Sequence, residues 1–197
     1  MYTIVGLGNP GGEYVHTRHN AGRILVESLA TQEGVALKDK KKPAHLVGTG
    51  DVYGVRARLV LPNTFMNKSG TAVVGYVKTP KAGKNLIVVY DDIDLPLGVV
   101  RVSFGRGSGG HRGIESITRA IKTKDFIRIR VGVSKSARGR AKKPSGEKEV
   151  VDFLMGTFPK SQYEMLTGEI QEKVFRAIEL ILPEKSHVPA MNVVNRM

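Results

Sequence analysis

His19 stands in Thr17-Arg18-His19-Asn20, just ahead of a helix-like stretch, and three acids, Asp91, Asp92 and Asp94, follow the apolar run Leu86–Tyr90. A neutral imidazole with a bare ring nitrogen accepts protons near neutral pH. A carboxylate on its other nitrogen fixes the tautomer and steadies the imidazolium that forms. In α/β sheets, ligands bind beyond the carboxyl ends of strands, which is where these acids fall. If the chain brings the two together, His19 is a general base. The alternative is a surface histidine and a solvated turn with a helix cap. His16 and His19 have the spacing of metal ligands on a helix, but no third His or Cys supports them, so no metal is expected.

Asn67, in Asn63-Thr64-Phe65-Met66-Asn67, carries an amide that donates and accepts. It serves either chemistry or the capping of a helix, and Phe65 and Met66 beside it read as core. From Gly105 to Gly113 the chain runs Gly-Arg-Gly-Ser-Gly-Gly-His-Arg-Gly ahead of a helix. Successive backbone N–H groups and a helix start make an anion cradle, and Arg106 and Arg112 strengthen the case for phosphate. The alternative is a surface loop. Gly6-Leu7-Gly8-Asn9-Pro10-Gly11 spells a dinucleotide fingerprint. It lacks a helix opening within the glycines and an acid on a second strand, since Glu27 falls in a helical stretch. No nicotinamide cofactor is expected.

The elements that must position these residues follow from periodicity. Strands are predicted at Tyr2–Gly6, Leu86–Tyr90, Val99–Phe104 and Phe126–Val133, with Arg101 and Ser103 on one face and Arg128 alternating with Arg130. Helices are predicted at Ala21–Thr31, Asn67–Val77, Gly113–Ile121 and Lys160–Leu182. His45–Val52 and Val55–Leu61 read as a hairpin, preceded by a basic turn at Lys38–Lys42. Ser134–Glu149 is poor in apolar residues and rich in Lys, Arg and Gly, so a basic mobile loop is expected there. Pro183–Met197 carries no clear signal. Alternating strands and helices with one hairpin imply a single α/β domain over residues 1–197, built on a mixed sheet.

Bulk composition sets the class of partner. The chain has 197 residues, 31 Lys and Arg against 18 Asp and Glu, a net charge of +13, and no Cys or Trp. Zero Cys excludes a disulfide scaffold, a thiolate zinc site and a thiol nucleophile, and suits a reducing cytoplasm. No apolar run reaches the ~18 residues of a membrane span. The N-terminal MYTIVGLGNPGG has no basic and long apolar segments in series, so no secretory leader is expected. A field of +13 attracts polyanions, of which nucleic acid is the commonest.

Taken together, the motifs resemble those of bacterial peptidyl-tRNA hydrolases. The resemblance rests on G-L-G-N-P-G-x-x-Y-x-x-T-R-H-N-x-G (Gly6 to Gly22), T-F-M-N-x-S-G (Thr64 to Gly70), D-x-x-D-L-P-x-G (Asp91 to Gly98) and the glycine loop ending G-G-H-x-G (Gly109 to Gly113). Order and spacing match from about Tyr2 to Phe158. The resemblance implies a three-layer α/β/α sandwich around a twisted mixed sheet, normally monomeric and cytoplasmic. It implies hydrolysis of the ester joining a peptide to the 3′ ribose of tRNA, with water and no metal or cofactor. It makes His19 the base, Asp91 the carboxylate that holds it, and Asn9 the amide that tells peptidyl from aminoacyl substrates. Tyr14, Phe65 and Asn67 fall at the substrate site, and Arg130 meets tRNA phosphate. Two positions depart from the family pattern. Arg112 stands where Asn is usual, and Ser103 where a Lys partners the phosphate-binding Arg. Arg101, on the same strand face as Ser103, is the expected substitute, with Arg112 and the basic loop extending the contact. The alternative is an RNA-binding member of the fold that has lost catalysis.

Overall fold

The computed structural model describes residues 1–137 and 139–197, so Arg138, within the expected basic loop, lies outside the described residues. Among the described residues, eight strands form one mixed sheet: β1 (Tyr2–Gly6), β2 (Lys38–Lys41), β3 (Ala44–Val52), β4 (Val55–Pro62), β5 (Leu86–Pro96), β6 (Val100–Phe104), β7 (Ile127–Ala137) and β8 (Arg140–Lys142). Their order is β2-β3-β4-β1-β5-β7-β6, with β8 paired to β7. The centre is parallel (β4-β1-β5-β7), and the flanking pairs are antiparallel.

Strand periodicity builds two cores. On β5, Ile87 and Val89 face one side, and Leu86, Val88 and Tyr90 face the other. The first side is covered by α1 (Ala21–Gln32), α6 (Gln171–Glu184) and α7 (Val188–Val194). The second is covered by α2 (Gly70–Val73) and α3 (Arg112–Ile121). The result is the expected three-layer α/β/α sandwich. Close packing of α1 on β5 requires Gly22, where a Cβ would lie 2.1 Å from the Val89 carbonyl oxygen.

Several sequence expectations are corrected. The strand predicted at Leu86–Tyr90 continues through the acids to Pro96, because Asp91 and Asp92 pair with Val131 and Gly132 of β7 before the register shifts. Ser134–Glu149 is not a loop throughout. β7 runs on to Ala137, β8 pairs back on it, and α4 (Glu147–Met155) begins within the segment. The basic turn at Lys38–Lys42 is largely the edge strand β2. The helix predicted at Asn67–Val77 is a 3-10 turn, Met66–Lys68, followed by the short α2. The C-terminal helix predicted at Lys160–Leu182 spans Lys160–Glu184 as α5 (Lys160–Met165), a π turn and α6. The unassigned tail holds α7, after which Asn195 caps the free edge of β6. Its Oδ1 accepts from Val102 N at 2.7 Å, and its Nδ2 donates to Val102 O at 3.0 Å.

Candidate active site

The carboxyl ends of β1 and β5 deliver the chemistry. Asn9 follows β1, and Asn20 locks it by a reciprocal pair: Asn9 N donates to Asn20 Oδ1 (2.8 Å), and Asn20 Nδ2 donates to Asn9 O (3.0 Å). Asn9 Oδ1 accepts from Met66 N at 2.8 Å. That bond orients the amide and turns Nδ2 toward Met155 Sδ, 3.8 Å away. His19 lies on the 3-10 turn Arg18–Asn20 that enters α1.

The structure joins His19 to Asp91, with Nδ1 and Oδ2 2.9 Å apart and both residues buried. A second imidazole shares the carboxylate, with His111 Nε2 3.1 Å from Oδ1. His111 also caps α3, its Nδ1 accepting from Gly113 N (3.2 Å) and Ile114 N (3.3 Å). Those donors leave Nδ1 without a proton, so Nε2–H donates to Asp91. Asp91 therefore takes one N–H on each oxygen. Burial opposes its charge, but the two imidazoles and their hydrogen bonds outweigh burial and hold the carboxyl well below the usual range. With Nδ1–H of His19 on Asp91, its Nε2 is the free acceptor, and no hydrogen bond engages it among the described residues.

His19, Asp91 and His111 also place three ligand atoms within 4.8 Å of one another, a geometry that could hold a metal ion. The donor set fits poorly. Both nitrogens facing Asp91 act as N–H donors, and His111 cannot free its Nε2 without losing the cap on α3. The arrangement suits a proton-transfer site better than a metal centre.

Asn9, His19 and His111 line a pocket of about 610 Å³ with Phe65 and Asn67 on one side and an apolar wall of α4 on the other. Val150, Val151, Leu154 and Met155 form that wall, and no residue of α4 is buried. Phe65, read above as core, is 58% exposed at the rim. Asn67 is exposed in the pocket and caps no helix. Tyr14 is half-buried on the turn Gly12–Tyr14 and does not line this pocket.

A neighbouring cavity of about 340 Å³ gathers the cationic candidates. Arg130 lines it with Nε 2.7 Å from Asp92 Oδ2. Arg128 is buried beside it, donating to Gly107 O at 2.6 Å and lying over the Phe126 ring. Its Nε and the Ser103 hydroxyl are both buried without partners. Arg106, exposed on the glycine loop, completes the wall. Arg101 is absent from this cavity, which corrects the expected Arg101–Arg130 clamp. It sits opposite Arg130 in register, but β6 is the sheet edge and its guanidinium reaches Asn195 O. Arg112 likewise is paired with Glu147, at the start of α4. His111 and Arg128 are the residues whose roles sequence reasoning missed, whereas Arg106 was already a phosphate candidate of the glycine loop. For His111 the signal was present, since it immediately precedes a helix after a glycine run.

A family model for peptidyl-tRNA hydrolases matches residues 3–197. A peptidyl-tRNA hydrolase of Syntrophotalea carbinolica is 38% identical over 196 residues, 99% of this chain and 97% of that protein. One from Carboxydothermus hydrogenoformans is 41% identical over 169 residues, 84% of each. The solved structure of the Acinetobacter baumannii peptidyl-tRNA hydrolase superimposes with a TM-score of 0.85 at 34% identity, covering 99% of this chain and 94% of that one. The chain belongs to the peptidyl-tRNA hydrolase family.

Proposed function

We propose that the protein hydrolyses the ester between a peptide and the 3′ ribose of tRNA, with His19 as base. The observation that carries this is the buried Asp91, which takes the Nδ1 side of His19 and leaves Nε2 toward the pocket. Water loses its proton to Nε2 as its oxygen bonds to the ester carbon. The tetrahedral oxyanion collapses, the ribose 3′ oxygen leaves, and the imidazolium returns the proton to it. Asp91 stays ionised throughout and stabilises the imidazolium. The amides of Asn9 and Asn67 supply donors for the oxyanion and the peptide. Phe65 offers an exposed face to the 3′ nucleoside, and Tyr14 acts only at the outer margin.

Tight binding comes from phosphate. Arg130, Arg128, Ser103 and Arg106 line one cavity beside the catalytic pocket, which suits a tRNA phosphate at a fixed distance from the ester. Among the described residues, no helix is long and apolar enough to cross a membrane. We place the enzyme in the cytoplasm as a single-domain monomer needing no protein partner. The silent RNA-binding alternative has no observation in its favour, since a binder has no use for an imidazole held by a buried carboxylate. The test is release of peptide from an N-blocked aminoacyl-tRNA. Folded wild-type protein that fails to turn it over, or a His19→Ala variant as active as wild type, overturns the reading.

A further inference from the structure

Six cations gather at the amino-terminal ends of β5 and β7, the pole opposite Asp91: Lys78, Lys81, Lys84, Arg119, Lys122 and Lys124. The 3-10 helix Pro80–Asn85 leads into β5, and the turn after α3 leads into β7 beside it. The two segments touch. A Cβ on Gly83 would lie 2.9 Å from Thr123 Cγ2 and 3.1 Å from the Asp125 carbonyl oxygen. All six side chains are exposed, and none forms an ion pair among the described residues. The acid between them, Asp125, lies toward Gly105, its Oδ1 3.3 Å from where a Cβ there would stand.

The cluster works against its own local structure. Side chains three apart on a 3-10 helix eclipse, which stacks Lys81 over Lys84. Arg119 and Lys122 are also three apart, where like charges repel. Lys122 ends α3 in the left-handed region, with φ 56°, a position that favours glycine. A cation at a strained backbone position, in a field of its own sign and without an internal partner, points outward to an anion.

We propose that this pole is a second RNA surface, holding the phosphate backbone of duplex RNA away from the ester. From Leu86 to Asp91 the strand rises about 17 Å, at ~3.3 Å per residue, so the pole is separate from the catalytic pocket. The chemistry favours nucleic acid over protein. Protein interfaces are built on aromatic and apolar centres and are poor in Lys. Here five of the six cations are Lys, and no large apolar residue between Val74 and Val151 is among the exposed ones. Lys and Arg alone position a phosphate backbone without reading sequence. The occupant is the duplex body of the substrate tRNA, held while its 3′ end lies in the catalytic pocket, so the inference rests on the proposed function.

The test is a triple variant, Lys81→Gln, Lys84→Gln and Lys122→Gly, compared with wild type. Binding is measured across a salt series for deacylated tRNA and for an RNA hairpin with no single-stranded 3′ end. Losing three phosphate contacts should lower the slope of log affinity against log salt by about 2–3, at ~0.7–0.9 per contact. The melting temperature should hold or rise, since repulsion and the left-handed strain at Lys122 are relieved. That separates lost contact from lost fold. A flattened slope for deacylated tRNA, with or without the hairpin, supports the proposal, and a flattened slope for the hairpin alone overturns it in favour of a separate RNA. Unchanged slopes for both overturn the proposal. So does a loss confined to polyglutamate binding, which would mark the pole as a site for acidic protein. Wild-type protein without esterase activity would sink the proposed catalysis and leave this test intact.

Discussion

Replacing Asp91 with Asn puts one acceptor and one donor where two neighbours both donate. His19 Nδ1 and His111 Nε2 meet separate oxygens of Asp91, at 2.9 and 3.1 Å. An amide has a single oxygen, so only one histidine keeps its acceptor. His111 cannot yield, because Gly113 and Ile114 donate to its Nδ1 and keep the proton on Nε2. The new oxygen must face His111, and the new NH2 must face His19. His19 Nδ1 then becomes an acceptor, its proton moves to Nε2, and the base toward the pocket is lost. Turnover should fall by ~10²–10⁴, the usual worth of a positioned base. Asp91→Ala leaves both tautomers open to His19 and should retain more turnover than the isosteric Asn. Adding His111→Ala to Asp91→Asn frees the amide to rotate its oxygen back to His19. That should recover about tenfold, the equivalent of one hydrogen bond. The assay is single-turnover hydrolysis of an N-blocked aminoacyl-tRNA, with ¹⁵N shifts of the His19 ring to read the tautomer. The reasoning fails if the double variant is no faster than Asp91→Asn, or if His19 in Asp91→Asn still carries its proton on Nδ1.

Asp91 also links stability to pH. Its folded-state carboxyl lies below the usual value, so between the two values the unfolded chain binds more protons and stability rises with pH. The contribution is full above about pH 4 and is lost as pH falls further. Urea midpoints between pH 6 and pH 3 should drop more steeply for wild type than for Asp91→Asn, and parallel curves would remove Asp91 as the cause. Arg106→Ala should lower the salt slope of tRNA affinity by ~0.7–0.9, and Arg101→Ala should leave it unchanged. The reverse ordering would restore the Arg101 clamp. Arg112→Asn breaks an exposed ion pair, 59% and 81% open, so stability should change by no more than ~1 kcal/mol. Hydrogen exchange over Glu147–Met155 should quicken while the salt slope holds, and a flattened slope would make Arg112 a phosphate ligand instead.

Local pattern made His19 and Asp91 legible, because each lies at the mouth of a strand or helix whose period is strong, whereas Asn9 was legible only through the family resemblance. Period two also put Arg101 and Ser103 on one face, and they do stand opposite Arg130 and Arg128. What it could not convey is that β6 is an edge strand. The order β5-β7-β6 is set by pairings distant in sequence, and only at an edge does Arg101 have room to turn to Asn195. The acids of β5 were read as a turn because three carboxylates resist burial, but β7 supplies the backbone partners that keep Asp91 in the sheet. α4 was lost for a different reason. Its apolar residues face a pocket and not the core, so the segment ahead of it looked solvated.

That exposed helix is nevertheless tied to the base through the residues beside it. Arg18 precedes His19 on the same 3-10 turn and donates to the carbonyls of Phe153 and Gly156, at the end of α4. Its guanidinium lies 4.5 Å from the Phe153 ring centre, a cation over an aromatic face. Cationic donors at the carboxyl end of a helix also complement its dipole. The opposite end of α4 meets the body through Glu147 and its partner Arg112, the first residue of α3, next to His111. Each end of the apolar wall is thus fastened beside one of the two histidines that share Asp91. Wall and base are set by the same short segments, so the pocket's shape and the direction of His19 Nε2 are coupled, chiefly through the part-buried Arg18 end. A preorganised site needs that coupling, because a base held by Asp91 alone could rotate away from an ester whose position is decided by α4.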